Sequence, residues 1–202
     1  MSPRAYNLGL RVAAAEQTRA RIIAAAREIL SDEAFDGLSI DAIARRAGVA
    51  RMTVYYQFTS RRGLLEALFE DIGDRGLGPY LRDVDAYDDP AEGLAHLCKV
   101  LMCFYTRERT VIRRLRSLAV NDAEVEASLR HRDALRAAHV CSLLQRIEDA
   151  GRWRAPISVA EAAPAVAALV GFQYFDEVAP EHGDPQVTAE LVRRILFQLL
   201  GL

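Results

Sequence analysis

The sequence predicts an all-α protein, a small N-terminal three-helix head followed by a larger helical body. Apolar residues recur at helical spacing through almost all of the 202 residues, and no run of β-branched residues alternates with polar ones as a strand would. The periodicity breaks at Gly73 to Pro79 (GDRGLGP) and at the acidic stretch Asp83 to Pro90 (DVDAYDDP), which places a domain boundary near residue 75. The division expected is a flexible arm over 1–14, a head over 15–74 and a body over 75–202. A content of 51% apolar residues is ample for a packed core.

The first helix is predicted from about Glu16 to Leu30, with Ile22, Ile23, Ala26, Ile29 and Leu30 as its inward stripe. Gly37 ends the next turn, and Ser39 caps a short second helix, Ile40 to Ala47. A third helix is predicted over Arg51 to Phe58. Ser60 offers a cap for a fourth, whose stripe is Leu64, Leu65, Leu68, Phe69 and Ile72. In the body the spacing predicts a helix from Ala91 to Tyr105, a shorter one near Val111 to Val120, and a long one from Asn121 to Ala150. Asn121 with Glu124 is read as a capping box for the long helix, and Gly151 as its left-handed stop. Ser158 and Glu161 form a second capping box, opening a penultimate helix that Pro164 should kink or delay. Asp184 and Pro185 announce the last helix, Val187 to Leu200.

Charge is unevenly spread. Residues 1–63 hold ten Arg and six acids, a net of +4, which leaves −6 for the rest of a chain whose total is −2. Between Ala42 and Gly63 there are five arginines and no acid, the local footprint a polyanion would need, although a solvated basic face has the same composition. No apolar run is long enough to span a bilayer, and the start lacks a signal-peptide core, so no membrane association and a cytoplasmic location are expected. The three cysteines, Cys98, Cys103 and Cys141, form no CxxC pair and read as buried free thiols rather than as a disulfide or zinc framework.

A helix-turn-helix needs a small residue where two helices cross, a turn residue tolerant of positive φ, and apolar side chains behind the outer helix. Ala44, Gly48, and Val54 with Phe58 meet these demands, Ile40 and Ile43 supply the inner face of the first helix, and Val49 plugs the turn. That spacing leaves Arg51, Met52, Thr53, Tyr55, Tyr56 and Gln57 facing outward. Their chemistry suits double-stranded DNA: Arg pairs with guanine, Gln with adenine, Thr with a base or a thymine methyl, and tyrosine hydroxyls donate to phosphate. Arg61 and Arg62, opening the fourth helix, read as a phosphate clamp. The competing reading is a trihelical core with a polar face, but two adjacent tyrosines among arginines make little sense on an inert surface.

The segment from Thr18 to about Asp71, and most specifically IARRAGVARMTVYYQFTSRRGLL, resembles the TetR family of transcriptional regulators. The resemblance implies about nine helices, three N-terminal ones binding DNA, and a C-terminal body that binds a small molecule and dimerises through its last two helices. By position, Tyr55 and Tyr56 resemble phosphate-contacting or base-contacting tyrosines, and Arg51, Thr53 and Gln57 resemble base-reading residues. The DNA-binding set expected is Ser39, Arg51, Thr53, Tyr55, Tyr56, Gln57 and Arg61. Arg61 stands where the family usually has Lys, Gln57 where His is common and Met52 where Gly is common, so no operator sequence carries over.

The apolar coverage of the last two helices exceeds what one inward face requires, which predicts a symmetric four-helix homodimer seam. Met102, Tyr105, His139, Trp153, Phe172 and Gln173 are the candidate ligand-lining residues, although aromatic and Met positions on helices are usually core. The function expected is a regulator of a pseudo-palindromic DNA operator, repressing until a small, largely apolar effector releases it. A body that binds another protein instead of a small ligand stays open. An enzyme is disfavoured: His131-Arg132-Asp133 has no following Asn at kinase spacing, no Gly-rich phosphate loop exists, and no histidine has metal-site context, so neither a catalytic residue, a metal nor a cofactor is expected.

Overall fold

A computed structural model describes residues 3–77 and 83–202, and among them every regular element is a helix. In chain order these are α1 (Pro3–Ser31), α2 (Ile40–Ala47), α3 (Arg51–Phe58), α4 (Arg61–Gly76), α5 (Pro90–Ala119), α6 (Ala123–Asp149), α7 (Val159–Leu169), α8 (Phe172–Val178) and α9 (Pro185–Leu200). The chain divides into two compact units, Met1–Ile72 with Arg113–Ser128, and Gly73–Ile112 with Leu129–Leu202. No helix among the described residues is long and apolar enough to cross a membrane.

In the first unit α1 packs against both α2 and α3. Its buried stripe is Ile22, Ala25, Ala26, Ile29 and Leu30, with Ile23 only half-buried. The helix starts at Pro3 rather than near Glu16, so most of the arm expected over 1–14 is helical. Proline is pre-organised for the first turn and the alanines at 13–15 propagate it, whereas the prediction had required apolar periodicity to begin a helix. Leu64, Leu65, Leu68, Phe69 and Ile72 of α4 are all buried, as their spacing predicts. The corner between α5 and α6 belongs to this unit and is tied into it by polar contacts. Arg114 donates to the Leu30 carbonyl at the end of α1 and lies 5.3 Å from the Phe35 ring centroid, while the Ser128 hydroxyl donates to Glu66 at 3.0 Å.

Three predicted boundaries are corrected. The break expected after Tyr105 is absent, because the polar run Thr106–Thr110 contains no Pro or Gly and is held in helix: Thr106 Oγ1 donates to the Met102 carbonyl at 2.8 Å, and Arg109 is buried with partners. The cap of α6 is Asp122, not Asn121, since its Oδ1 accepts from the backbone N–H of Glu124 and of Val125, each at 3.2 Å. The penultimate helix is two, α7 and α8, interrupted at Val170 and Gly171. Pro164 does not delay α7, because the Ser158–Glu161 capping box forms as predicted and fixes the start at Val159. Of the three thiols only Cys98 is fully buried, where desolvation pushes it up to about 12; Cys103 is half-buried and Cys141 exposed.

The second unit is knotted by Arg109. Its guanidinium donates to Asp176 Oδ1 (2.7 Å) and to the carbonyls of Asp176 (2.9 Å), Ala179 (3.0 Å) and Pro180 (3.0 Å), closing the C-terminal end of α8. A cation at a helix C-terminus also complements the exposed carbonyl dipoles. Replacing the buried Arg109 by Met removes the donor shared by the half-buried Asp176 carboxylate and three carbonyls and should cost about 1–3 kcal/mol in urea unfolding. Arg109→Lys should recover only part of it, because one ammonium cannot reproduce the planar fork. Full stability of R109M would show that the knot contributes nothing.

Candidate nucleic-acid interface

The helix-turn-helix forms where the residue pattern places it, with both helices at their predicted bounds. Ser39 is extended (φ −97°, ψ 151°) and its hydroxyl accepts from Ala42 N–H at 3.1 Å, opening α2. Ile40, Ile43 and Ala44 are buried, and Gly48 at φ 64°, ψ 38° closes the helix in the left-handed region. Gly48 N–H donates to the Arg45 carbonyl (3.2 Å) and Val49 N–H to the Ala44 carbonyl (3.0 Å), so the chain reverses within two residues. Val54 and Phe58 then bury one side of α3 and leave the other to solvent.

That outward face carries the predicted readers. Tyr56 is 83% exposed and Met52 57%, one helical turn apart; Arg51 is exposed, and Thr53, Tyr55 and Gln57 are half-buried. Ala50 caps α3 without a side-chain hydrogen bond, leaving backbone N–H groups of its first turn for an anion. Arg51 is already oriented: its Nη1 donates to both Asp41 oxygens (3.3 and 3.1 Å) and its Nη2 to the Tyr55 hydroxyl (3.4 Å). The Tyr55 hydrogen bond, with the charge of Asp41 next, raises the Arg51 pKa above its usual value.

Two supports of this face escaped sequence reasoning. Arg19, on α1, donates to the Gln57 carbonyl at 3.1 Å and lies 4.4 Å from the Phe58 ring centroid, so it clasps the C-terminal turn of α3. Its only signal was a position on the helix that backs the motif. Beyond Phe58 the chain turns through Thr59 at φ 65°, ψ −38°, with Ser60 N–H donating to the Phe58 carbonyl at 2.7 Å, a γ-turn that a β-branched residue rarely adopts. Ser60 Oγ accepts from Gly63 N–H at 3.0 Å and starts α4. A Cβ on Gly63 would collide with the Phe58 carbonyl, so α4 leaves the turn on a path only glycine permits.

The acid-free window between Ala42 and Gly63 does not stay acid-free in the fold. Arg46 meets Asp32 (3.0 Å) and Glu28 (3.6 Å), Arg51 meets Asp41, and Arg61 meets Asp122 and Glu124. Arg61, read from sequence as a phosphate contact, is half-buried with its guanidinium on these two carboxylates. Arg45 and Arg62 are exposed and, among the described residues, form no ion pair of this kind.

In the second unit, Tyr105 and Phe172 come together with ring centroids 5.5 Å apart, joined by Phe175 and Phe104, and Met102 is buried one turn before Tyr105. Arg136, not singled out from the sequence, hydrogen-bonds Tyr105 and Asp133 and lies beside Gly171. His139 is half-buried with its Nε2 unpartnered, Gln173 is exposed, and Trp153 is in the loop before α7, its Nε1 donating to the Ile157 carbonyl at 2.9 Å. Among the described residues no three His, Cys, Asp or Glu side chains are grouped to hold a metal ion.

Gly48→Ala should cost about 1 kcal/mol, the strain of a left-handed L-residue, since an added methyl meets nothing within 4 Å. Gly48→Asn should be nearly silent in the same thermal unfolding experiment, because Asn tolerates that region. Equal losses in both would mean that φ is not what the position demands.

Residues 22–68 match the family described as bacterial regulatory proteins, tetR family. The HTH-type transcriptional regulator UidR of Escherichia coli K12 is 32% identical over 71 residues, 35% of this chain and 36% of UidR. The match therefore spans about a third of that relative's length. Along the whole chain, a putative TetR-family transcriptional regulator from Rhodococcus sp. superposes with a TM-score of 0.72 at 19% identity, covering 92% of this chain and 99% of that one. NalD of Pseudomonas aeruginosa, the secondary repressor of the MexAB-OprM multidrug efflux pump, gives 0.69 at 25% identity, covering 92% and 96%. Residues 22–68 thus match the tetR family model, and the chain as a whole has the fold of the TetR-family regulators it superposes on.

Proposed function

We propose that this chain is a sequence-specific, non-catalytic DNA-binding transcriptional regulator of the cytoplasm. It binds a pseudo-palindromic operator as a homodimer and represses until a small, largely apolar effector releases it. The observation that carries the DNA reading is the outward face of α3: a short helix held from behind by Val54, Phe58 and Arg19, with Arg51, Thr53, Tyr56 and Gln57 on its accessible sides. Arg51 would face a guanine and Gln57 an adenine, while Ser39, Tyr55 and Tyr56 serve the phosphates and Arg61 stands where a further phosphate contact would form if it left its carboxylate partners. The tetR-family match over the same residues supports this reading, and repression is favoured by NalD being a repressor.

The dimer reading is supported by the last helix. Val192, Leu196 and Leu200 of α9 are buried within the chain, but Val187 (67%), Leu191 (42%) and Leu199 (39%) are exposed on other sides. Ala160, Ala165 and Ala168 on α7 are exposed as well, small enough for a second helix to approach. A two-fold dimer reads DNA when its recognition helices are about 34 to 36 Å apart, or a multiple of that. An effector favouring another spacing weakens binding by its differential affinity alone. The aromatic cluster of Tyr105 and Phe172 beside Met102, with His139, Trp153 and Gln173, is the region proposed to take it.

The reading is tested by selecting duplexes from random-sequence DNA and titrating the winner by anisotropy. Arg51→Ala should lose about 1–3 kcal/mol of discrimination at one guanine, whereas Arg62→Ala should lower the slope of log K against log salt by about 1 and leave base preference intact. Leu191→Arg should sediment as a monomer and lose affinity with it. No enrichment of any duplex by the wild-type chain would refute the DNA reading.

A further inference from the structure

Arg61 opens α4 immediately after the turn that follows the recognition helix, where a guanidinium would face a DNA phosphate. In this chain two carboxylates already hold it. Arg61 Nη1 donates to Asp122 Oδ1 (3.2 Å) and Glu124 Oε2 (2.7 Å), and Nη2 donates to Asp122 Oδ2, a two-pronged contact. It is more enclosed than the pairs made by Arg46 and Arg51, with side-chain exposures of 29% for Arg61 and 24% for Asp122, against 41% for both Arg46 and Asp32 and 57% and 59% for Arg51 and Asp41.

Asp122 is itself fixed, because the same Oδ1 caps α6 by accepting from two backbone N–H groups. Its carboxyl is held below the usual range by the Arg61 hydrogen bond first and by those N–H groups, so it stays charged near neutrality. Glu124 stands in the first turn of α6, where the helix dipole also favours an anion.

We propose that Asp122 and Glu124 are a built-in competitor for the phosphate contact of Arg61 and thereby set operator affinity below what the head could reach. A carboxylate and a phosphate oxygen offer a guanidinium the same kind of partner. Reaching a phosphate therefore requires Arg61 to leave two acceptors of equal chemistry, and leaves two negative charges beside the DNA backbone. The contact contributes little or nothing to affinity while both acids are present. The inference rests on the DNA-binding reading above.

Asp122→Asn and Glu124→Gln test it in the full-length protein, and Asn at 122 preserves the cap because it is as good an N-cap as Asp. The probe is the duplex that the wild-type chain selects from random-sequence DNA, with a scrambled duplex of equal length, each titrated across a salt series. Both variants should bind several-fold more tightly, on both duplexes, with log K falling more steeply against log salt by about 0.9 for the phosphate recovered. Arg61→Ala should abolish the gain when combined with either. A structural brace alone would lower affinity and leave the slope unchanged, and that result, or wild-type affinity and slope in both variants, overturns the proposal. Wild-type protein that selects no duplex removes the DNA-binding reading and this inference together; selection followed by unaltered variants removes only the latter.

Discussion

The reversal at Gly48 is the constraint from which the rest of the head follows. A left-handed residue closes α2 after eight residues, Val49 N–H bonds back to the Ala44 carbonyl, and the chain restarts at Arg51 as a second helix of the same length. Helices this short are unstable alone in water, so neither exists without the surfaces that cover it. Those surfaces are α1, which packs on both, and the face that each of the two short helices offers the other. Because one side of α3 is consumed by that packing, the opposite side is exposed by necessity, and its chemistry is left to Arg51, Met52, Tyr56 and their neighbours. Arg19 and the strained turn at Thr59 then fix where α3 stops.

Electrostatics act on this frame differently from what the linear charge count suggests. Three of the five arginines between Ala42 and Gly63 are met by acids from outside that window. Arg46 is met by Glu28 of α1 and Asp32 just beyond it, Arg51 by Asp41 in the first turn of α2, and Arg61 by Asp122 and Glu124 at the start of α6. Exposed pairs of this kind contribute less than about 1 kcal/mol to stability, so their main effect is to orient the guanidiniums and, under the proposed function, to moderate attraction to DNA. Arg51, leaning on Asp41 and Tyr55, is held in a defined pose, whereas Arg62 keeps its charge exposed to solvent.

What was legible in the sequence was whatever local chemistry decides. The bounds of α2 and α3, the Ser39 cap, the Gly48 stop, the Ser158–Glu161 box and the Asp184–Pro185 start each depend on residues within four positions of one another. Where distant partners decide, the reading failed. The polar stretch after Tyr105 looked like a loop until Arg109 found Asp176 and three carbonyls, which bury it inside one continuous helix. Asn121 and Asp122 are equally good caps on paper, and Arg61 waiting for Asp122 separates them. Arg136 drew no notice because its partner Tyr105 lies on another helix. In the body, a core aromatic and a ligand-lining aromatic have the same sequence signature, so the spacing of Tyr105 and Phe172 could not distinguish them.

The proposed function requires α3 to enter a major groove with the face that Val54 and Phe58 leave exposed. Dimethyl sulfate protection on a duplex the protein selects tests this most directly, because it reports guanine N7 in the major groove and adenine N3 in the minor groove separately. Protection of guanine N7 in two symmetric half-sites, lost at one base position when Arg51 is replaced, is the predicted outcome. Protection confined to adenine N3, or a bound complex with no protected base, would contradict it.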